Sequence, residues 1–352
     1  FGLAAEAPAV DFPAVMRHLR EVIAAIAPND SVARFEGLGV AVLPGEARFL
    51  APDRLAVAGR ELRARRFVLA TGSRPFLPPI PGLAETPHLT NESVFALAER
   101  PAHLLLLGGG PIGCELAQAF ARLGSRVTLV EQDRLLPKDD PELAEFVRRS
   151  LLADGVELLE GAKATAVEAG PTLRVERAGE TQRLEGSHLL VAVGRRPDYE
   201  GLDLAAAGVA LEQGRAVLDR GLRSSNRRIY AAGDAAGGLQ FTHLAGAHAG
   251  VVIKRALFRL PARADRLTVP WVTYCDPELA QVGLTESAAR DRGGKIEVLT
   301  WSFAENDRAQ AERRTEGLIK VVATPRGKVL GAGIAGPNAG ELILPWGLAI
   351  SQ

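Results

Sequence analysis

One short stretch constrains this chain more than any other: Gly108-Gly109-Gly110-Pro111-Ile112-Gly113. It follows His103 to Leu107, a continuous apolar run of the kind expected of a parallel strand buried on both faces. It opens Ile112 to Leu123, which has helical spacing. The pattern G-x-G-x-x-G is weak alone, but between a buried strand and a helix it has a physical reading. Gly108 permits the tight turn, Gly110 lets the backbone approach a pyrophosphate, and Gly113 allows the helix to pack closely on the strand. The N–H groups at the helix start, Ile112 among them, are then free to bind phosphates. A second strand, Arg126 to Val130, runs to Glu131, 18 residues beyond Gly113. A carboxylate there can accept from an adenosine ribose and repels a 2′-phosphate, so NADH is expected over NADPH.

The second constraint is an internal repeat. Val68-Leu69-Ala70-Thr71-Gly72-Ser73-Arg74-Pro75 matches Leu190-Val191-Ala192-Val193-Gly194-Arg195-Arg196-Pro197 in pattern and nearly in letters. Two related dinucleotide-binding folds, each ending in such a strand, account for it. Gly108 precedes Gly194 by 86 residues, whereas only 71 residues precede Gly72. A glycine motif matching the Val68–Pro75 copy is therefore expected to fall before Phe1. The chain starts without methionine, its only methionine being Met16, and it ends inside the apolar run Leu342 to Ile350. Both ends are expected to be incomplete.

Around these motifs the remaining elements are legible. Asp11 can cap a helix with Pro13 in its first turn, in which Phe12, Val15, Leu19, Val22, Ile23 and Ile26 recur at helical spacing. Gly39 to Leu43 and Leu55 to Val57 read as short strands, and the proline-rich stretch Leu77 to Pro87 as a connection. Asp140-Pro141 opens a helix to Ala153, and a β-rich stretch from Val156 to Val175 follows. Ile229 to Asp234 forms a strand and turn, then a helix from about Thr242 to Phe258. An Asp placed as Asp234 can face a ligand polyol or close an Asx turn. After Pro261, strand-like runs at Val269–Tyr274, Ile296–Phe303, Leu318–Ala323 and Val329–Ile334, with a helix near Glu286–Arg290, describe a separate α+β domain.

Composition narrows the chemistry. The 352 residues carry 42 Lys+Arg and 42 Asp+Glu, a balance that argues against nucleic acid or an anionic membrane as partner. No apolar run reaches the length of a membrane span and no signal peptide opens the chain, so a cytoplasmic protein is expected. Two cysteines, Cys114 and Cys275, cannot build a disulfide scaffold or a cysteine-rich metal site. Cys114 sits at a helix start, which lowers a thiol pKa, but a small apolar packing role fits both cysteines. His243 and His248 are five residues apart, off the i,i+4 ligand spacing, and no metal site is expected.

Together these residues resemble the pyridine-nucleotide–disulfide oxidoreductases, two-dinucleotide flavoproteins that include dihydrolipoyl dehydrogenase and mercuric reductase. The resemblance covers essentially the whole chain. It implies an α/β fold with FAD and NAD Rossmann-like domains plus an α+β dimerisation domain. Residues 1–98 with 219–266 would form the FAD domain, 99–218 the NAD domain inserted in it, and 267–352 the dimerisation domain. Gly108, Gly110, Ile112, Gly113, Glu115, Glu131, Ala164 and Gly194 would contact NAD, with Glu115 near the nicotinamide–flavin contact. Ala47 (after Gly45-Glu46), Ala70, Thr71, Gly72, Gly233, Asp234, Gln240, Phe241 and Thr242 would contact FAD, Asp234 at its ribityl chain. Val282-Gly283-Leu284-Thr285-Glu286 and Gly331-Ala332-Gly333-Ile334 resemble the dimerisation domain, so a homodimer is expected. Pro137-Lys138-Asp139-Asp140-Pro141 leans towards the mercuric reductase branch, Glu131 towards dihydrolipoyl dehydrogenase.

The redox pair C-x-x-x-x-C of the family is absent from this sequence, as is its C-terminal His-x-x-x-x-Glu, so no catalytic residue is assigned. The expected activity is hydride transfer from NAD(P)H through FAD to a disulfide or metal-type acceptor, small or protein-bound. Two alternatives stay open: a flavoprotein reducing a quinone or oxygen, or a non-catalytic NAD-binding fragment.

Overall fold

The computed structural model describes residues 9–352, which divide into two compact units. The first contains the described residues up to Ile23, Pro75–Gly194 and Thr268–Gln352. Its centre is a parallel sheet of β1 (His103–Leu107), β2 (Arg126–Glu131), β3 (Glu157–Glu160) and β7 (His188–Val191). Helix α1 (Pro111–Arg122) joins β1 to β2 and helix α2 (Pro141–Ala153) joins β2 to β3. An antiparallel meander, β4 (Ala162–Glu168), β5 (Thr172–Arg177) and β6 (Glu180–Glu185), leads from β3 to β7. The strand order is β7-β1-β2-β3. The chain thus steps outward from β1 and returns to β1's other side, so the direction of winding reverses between β1 and β7, where the carboxyl ends leave a crevice.

Local chemistry sets these elements. The leucines of β1 are buried on both faces, with Leu106 opposite Leu190 on one side and Leu129 on the other. Helix α1 starts with extended Gly110 at its cap and Pro111 in its first turn, where a missing N–H costs nothing. Asp140 caps α2, its carboxylate accepting from the Glu142 N–H at 3.0 Å.

A second sheet in this unit is antiparallel: β8 (Pro270–Thr273), β9 (Glu278–Gly283), β10 (Glu297–Ser302), β11 (Leu318–Ala323) and β12 (Val329–Gly336), in the order β8-β9-β12-β11-β10. The terminal apolar run is helical over Leu344–Ser351. The first helix spans Phe12–Ile26, with Asp11 accepting from the Ala14 N–H at 3.0 Å. Only Phe12 and Met16 on it are buried, and Val22, Ile23 and Ile26 are exposed, so most of its apolar stripe is uncovered.

The second unit contains Ala24–Arg74 and Arg195–Leu267. Strands Arg48–Ala51, Arg54–Val57 and Arg60–Arg63 form an antiparallel sheet. Phe67–Leu69 pairs in parallel with Ile229–Ala231, and helix Thr242–Ala256 follows. Phe49, Leu69, Ile229 and Ala231 make the core, with Phe49 edge-on to Phe67 at 5.2 Å. One expected strand does not form. Gly39 to Leu43 is irregular: Gly39 takes φ +84°, and the Val40 N–H closes back on the Phe35 carbonyl at the end of helix Val32–Gly37. Pro44, next in the chain, has no ladder donor to offer.

Candidate functional site

In the first unit, the glycine loop lies at the winding reversal. Gly108 has φ +110°, and a Cβ there would sit 2.6 Å from the Ala192 carbonyl oxygen after β7. A Cβ on Gly113 would lie 1.9 Å from the Gly108 carbonyl oxygen, so no other residue lets α1 start this close to β1. Gly110 is different. Nothing lies within 4 Å of a Cβ built on it, so the loop leaves an open cradle beside the first turn of α1. The N–H groups of Ile112 and Gly113 belong to that turn, which is where a helix has unpaired donors. An open cradle on a helix N-terminus fits a pyrophosphate.

Glu131 stands at the end of β2. Its carboxylate accepts from the Gly109 N–H at 2.6 Å and the Asp133 N–H at 2.9 Å. It is therefore fixed against the loop itself, a contact that sequence spacing did not disclose. Gly194 follows β7 with φ +120° and open space at its Cβ position, and its carbonyl accepts from the Phe76 N–H at 2.9 Å. Gly108, Glu131 and Gly194 thus come together at the carboxyl ends of β7, β1 and β2. Ala164 stands apart on β4, buried with Leu107 and Val130, so only its backbone is available to a ligand.

Glu115, on the second turn of α1, accepts from the Tyr274 N–H at 2.8 Å. Burial raises its pKa and the Tyr274 N–H partly offsets that. Its neighbour Cys114 is fully buried, with Sγ 3.4 Å from the Gly109 carbonyl oxygen it donates to. Burial pushes the Cys114 thiol well up, and pushes Cys275 up to about 12. Both are free thiols held in the unreactive form. No metal-binding group of His, Cys, Asp or Glu occurs among the described residues.

In the second unit the other predicted residues gather at the carboxyl end of the two-stranded parallel ladder. Ala70, Thr71 and Gly72 follow one strand, and the Ala232 N–H, after the other, donates to the Leu69 carbonyl at 2.9 Å. Thr71 Oγ1 donates to the Asp198 carbonyl at 2.6 Å, and the Asp198 N–H to the Gly72 carbonyl at 3.1 Å. Asp234 accepts from Ser73 Oγ at 2.6 Å, and Ser73 Oγ in turn accepts from Arg195 Nε at 2.8 Å. Ser73 and Arg195 were not predicted. They occupy equivalent positions of the internal repeat, which was the available signal. Gly233 has φ +60° and would place a Cβ 2.9 Å from that of Ala245, bringing the turn against the helix. Gln240, Phe241 and Thr242 form that helix's start, with Phe241 as its cap, stacked on His243 at 5.4 Å and 10°. Ala47 packs on the core beside Phe49. Open space at Gly72 and Gly238 and the donors of this helix start fit a second nucleotide. His248, one turn further along, is buried with an unpartnered Nδ1, and burial lowers its pKa.

Comparison with known proteins identifies the family. The family model described as pyridine nucleotide-disulphide oxidoreductase matches residues 8–249, and that of its dimerisation domain matches residues 269–352. Mercuric reductase of Bacillus cereus is 35% identical over 355 residues, covering 99% of this chain and 56% of that protein. Dihydrolipoyl dehydrogenase of Bacillus subtilis is 33% identical over 311 residues, covering 86% of this chain and 68% of its own length. The HOCl-induced flavoprotein disulfide reductase RclA of Escherichia coli has a similar structure, with TM-score 0.87 at 30% identity over 97% of this chain and 80% of that one. The chain spans 56% and 65% of the two mercuric reductases from Bacillus cereus and Lysinibacillus sphaericus. With a glycine cradle and fixed acid in one unit, a second turn-and-helix site in the other, and matches along nearly its whole length, the chain belongs to the pyridine nucleotide-disulphide oxidoreductase family.

Proposed function

We propose that this chain is the nucleotide-binding and dimerising part of an FAD-dependent oxidoreductase that draws hydride from NADH and delivers electrons to a disulfide or metal-type acceptor. Residues 99–218 would bind NAD, 1–98 with 219–266 would bind FAD, and 267–352 would pair two copies. FAD, when bound, supplies a carrier that accepts hydride from a nicotinamide and releases electrons to a different acceptor. The protein's part is positioning. Gly110, Ile112 and Gly113 would hold the pyrophosphate by backbone donors, Gly108, whose N–H is taken by the Val130 carbonyl, shapes the turn, and Gly194 keeps the opposite wall of the crevice free of side chain. Thr71, Gly72, Gly233, Asp234 and the start at Gln240–Thr242 hold the flavin nucleotide, with Ser73 and Arg195 orienting the Asp234 carboxylate.

The single observation that carries the reading is the Glu131 carboxylate fixed beside the open cradle at Gly110. A fixed anion there accepts from ribose hydroxyls and opposes a 2′-phosphate. The chain is expected to bind NADH more tightly than NADPH in a fluorescence titration. Replacing Glu131→Ala removes hydrogen bonds to a charged acceptor and weakens NADH by roughly tenfold. Equal or tighter NADPH binding by the parent chain would overturn the assignment.

A further inference from the structure

Although the net charge of the chain is zero, several cations lie at one end of the second unit. In the second unit, helix Thr242–Ala256 runs back from the carboxyl end of the parallel ladder, where Gly233 meets Ala245, past Tyr230, which packs with Val251 and Val252. Its last turn therefore reaches the end of the ladder at which both strands begin. Arg65 and Arg66 lead into Phe67, and Arg227 and Arg228 lead into Ile229, which the register places side by side. Lys254 and Arg259 come from the helix end. All six are exposed, and none is in an ion pair among the described residues.

Within this cationic face, large apolar side chains point outward. Ile253 is 47% exposed, Leu257 71%, Phe258 66% and Leu260 54%. They do not hang on a frayed end. The Leu257 N–H donates to the Ile253 carbonyl, and the Leu260 N–H reaches back to the Lys254 carbonyl at 2.9 Å. Arg259 makes that turn with φ +56°, a left-handed position that helix ends ordinarily give to glycine. A fixed turn thus presents Leu257, Phe258 and Leu260 between unpaired cations.

We propose that this end of the second unit docks on an anionic lipid surface, the apolar turn entering the headgroup boundary and the arginines facing the lipid phosphates. Cations alone would suit any polyanion. Exposed Leu and Phe side chains gain only where there is an apolar phase to enter, which favours a bilayer over nucleic acid or an acidic protein. No helix among the described residues is long and apolar enough to cross a membrane, so the contact is peripheral.

The test is sedimentation of the full chain with vesicles of phosphatidylcholine alone or with about one third phosphatidylserine. Binding is expected with the anionic vesicles only, falling as salt is raised. The double variant L257S/F258S is expected to lower partitioning tenfold or more, and R65E/R66E, on different elements, at least as much, since each charge near the surface is worth about fivefold. Circular dichroism and NADH binding serve as controls for both variants. Absence of binding at low salt would overturn the proposal, as would variants that bind like the parent. So would capture by heparin or polyglutamate beads with no response to vesicles.

Discussion

The two copies of the internal repeat share a sequence pattern and a fate at one end, yet differ at the other. In the first unit, Leu190 sits in β7 within a four-stranded parallel sheet and is completely buried. In the second, the equivalent Val68 sits in a two-stranded ladder and is 48% exposed. The glycines that end both copies, Gly194 and Gly72, have positive φ in both. The turn is a local backbone requirement and repeats faithfully. Burial depends on which other strands lie alongside, and it does not.

The largest effect that would break this comparison lies in the core. Leu190→Ala is expected to cost the first unit about 4 kcal/mol, while Val68→Ala changes stability by less than about 0.5 kcal/mol. Urea unfolding followed by tryptophan fluorescence isolates the first unit, because Trp271, Trp301 and Trp346 all lie in it, and circular dichroism follows both. Comparable losses at the two positions would mean the copies are equally buried in solution.

The ion pairs differ in the same sense. In the second unit the pair of Arg48 with Asp203 lies at the surface. In the first unit Lys320 is 8% exposed and holds Asp140 and Glu142 at 3.0 Å and Glu286 at 2.7 Å, tying α2 to the antiparallel sheet. Burial pulls the Lys320 ammonium down, but Glu286, Glu142 and Asp140 together outweigh it and hold the charged form. Removing the cation strands a buried Asp140, so Lys320→Met is expected to cost about 3 kcal/mol by the same fluorescence assay. Arg48→Met should stay below about 0.5 kcal/mol.

The smallest effect sharpens the comparison at the site. Burial first, against the Tyr274 N–H, raises the pKa of Glu115. The folded chain therefore keeps this proton to higher pH than the unfolded chain does. Stability falls as pH rises from the ordinary carboxylate value through the raised one. Glu115→Gln, which can still accept from Tyr274, is expected to flatten that slope in urea midpoints measured across the acidic range. An unchanged slope would place the carboxylate in water.

Much of the fold was legible because its signals are local. The leucine run of β1, the glycines of the loop, Asp140 before Pro141 and the repeated strand ends each answer a demand of the backbone within a few residues. Gly39 to Leu43 misled for the same reason. Its apolar letters suit a strand, but Gly39 and Pro44 commit the backbone elsewhere. The contacts that complete the sites were not legible. Glu131 closes on Gly109 across 22 positions, Ser73 on Asp234 across 161, and Lys320 on Asp140 across 180.

The sequence by itself determined where the chain turns, which glycines cannot carry a side chain, and which acid follows the second strand. Those follow from sterics and hydrogen bonding along the backbone, which act over one or two turns. Only the tertiary structure decided which copy of the repeat is buried, that both cysteines are buried, and that Arg65-Arg66 and Arg227-Arg228, far apart along the chain, lie at one end of a parallel ladder. Burial and Coulomb energy depend on distance in space, and the fold sets that distance irrespective of separation along the chain.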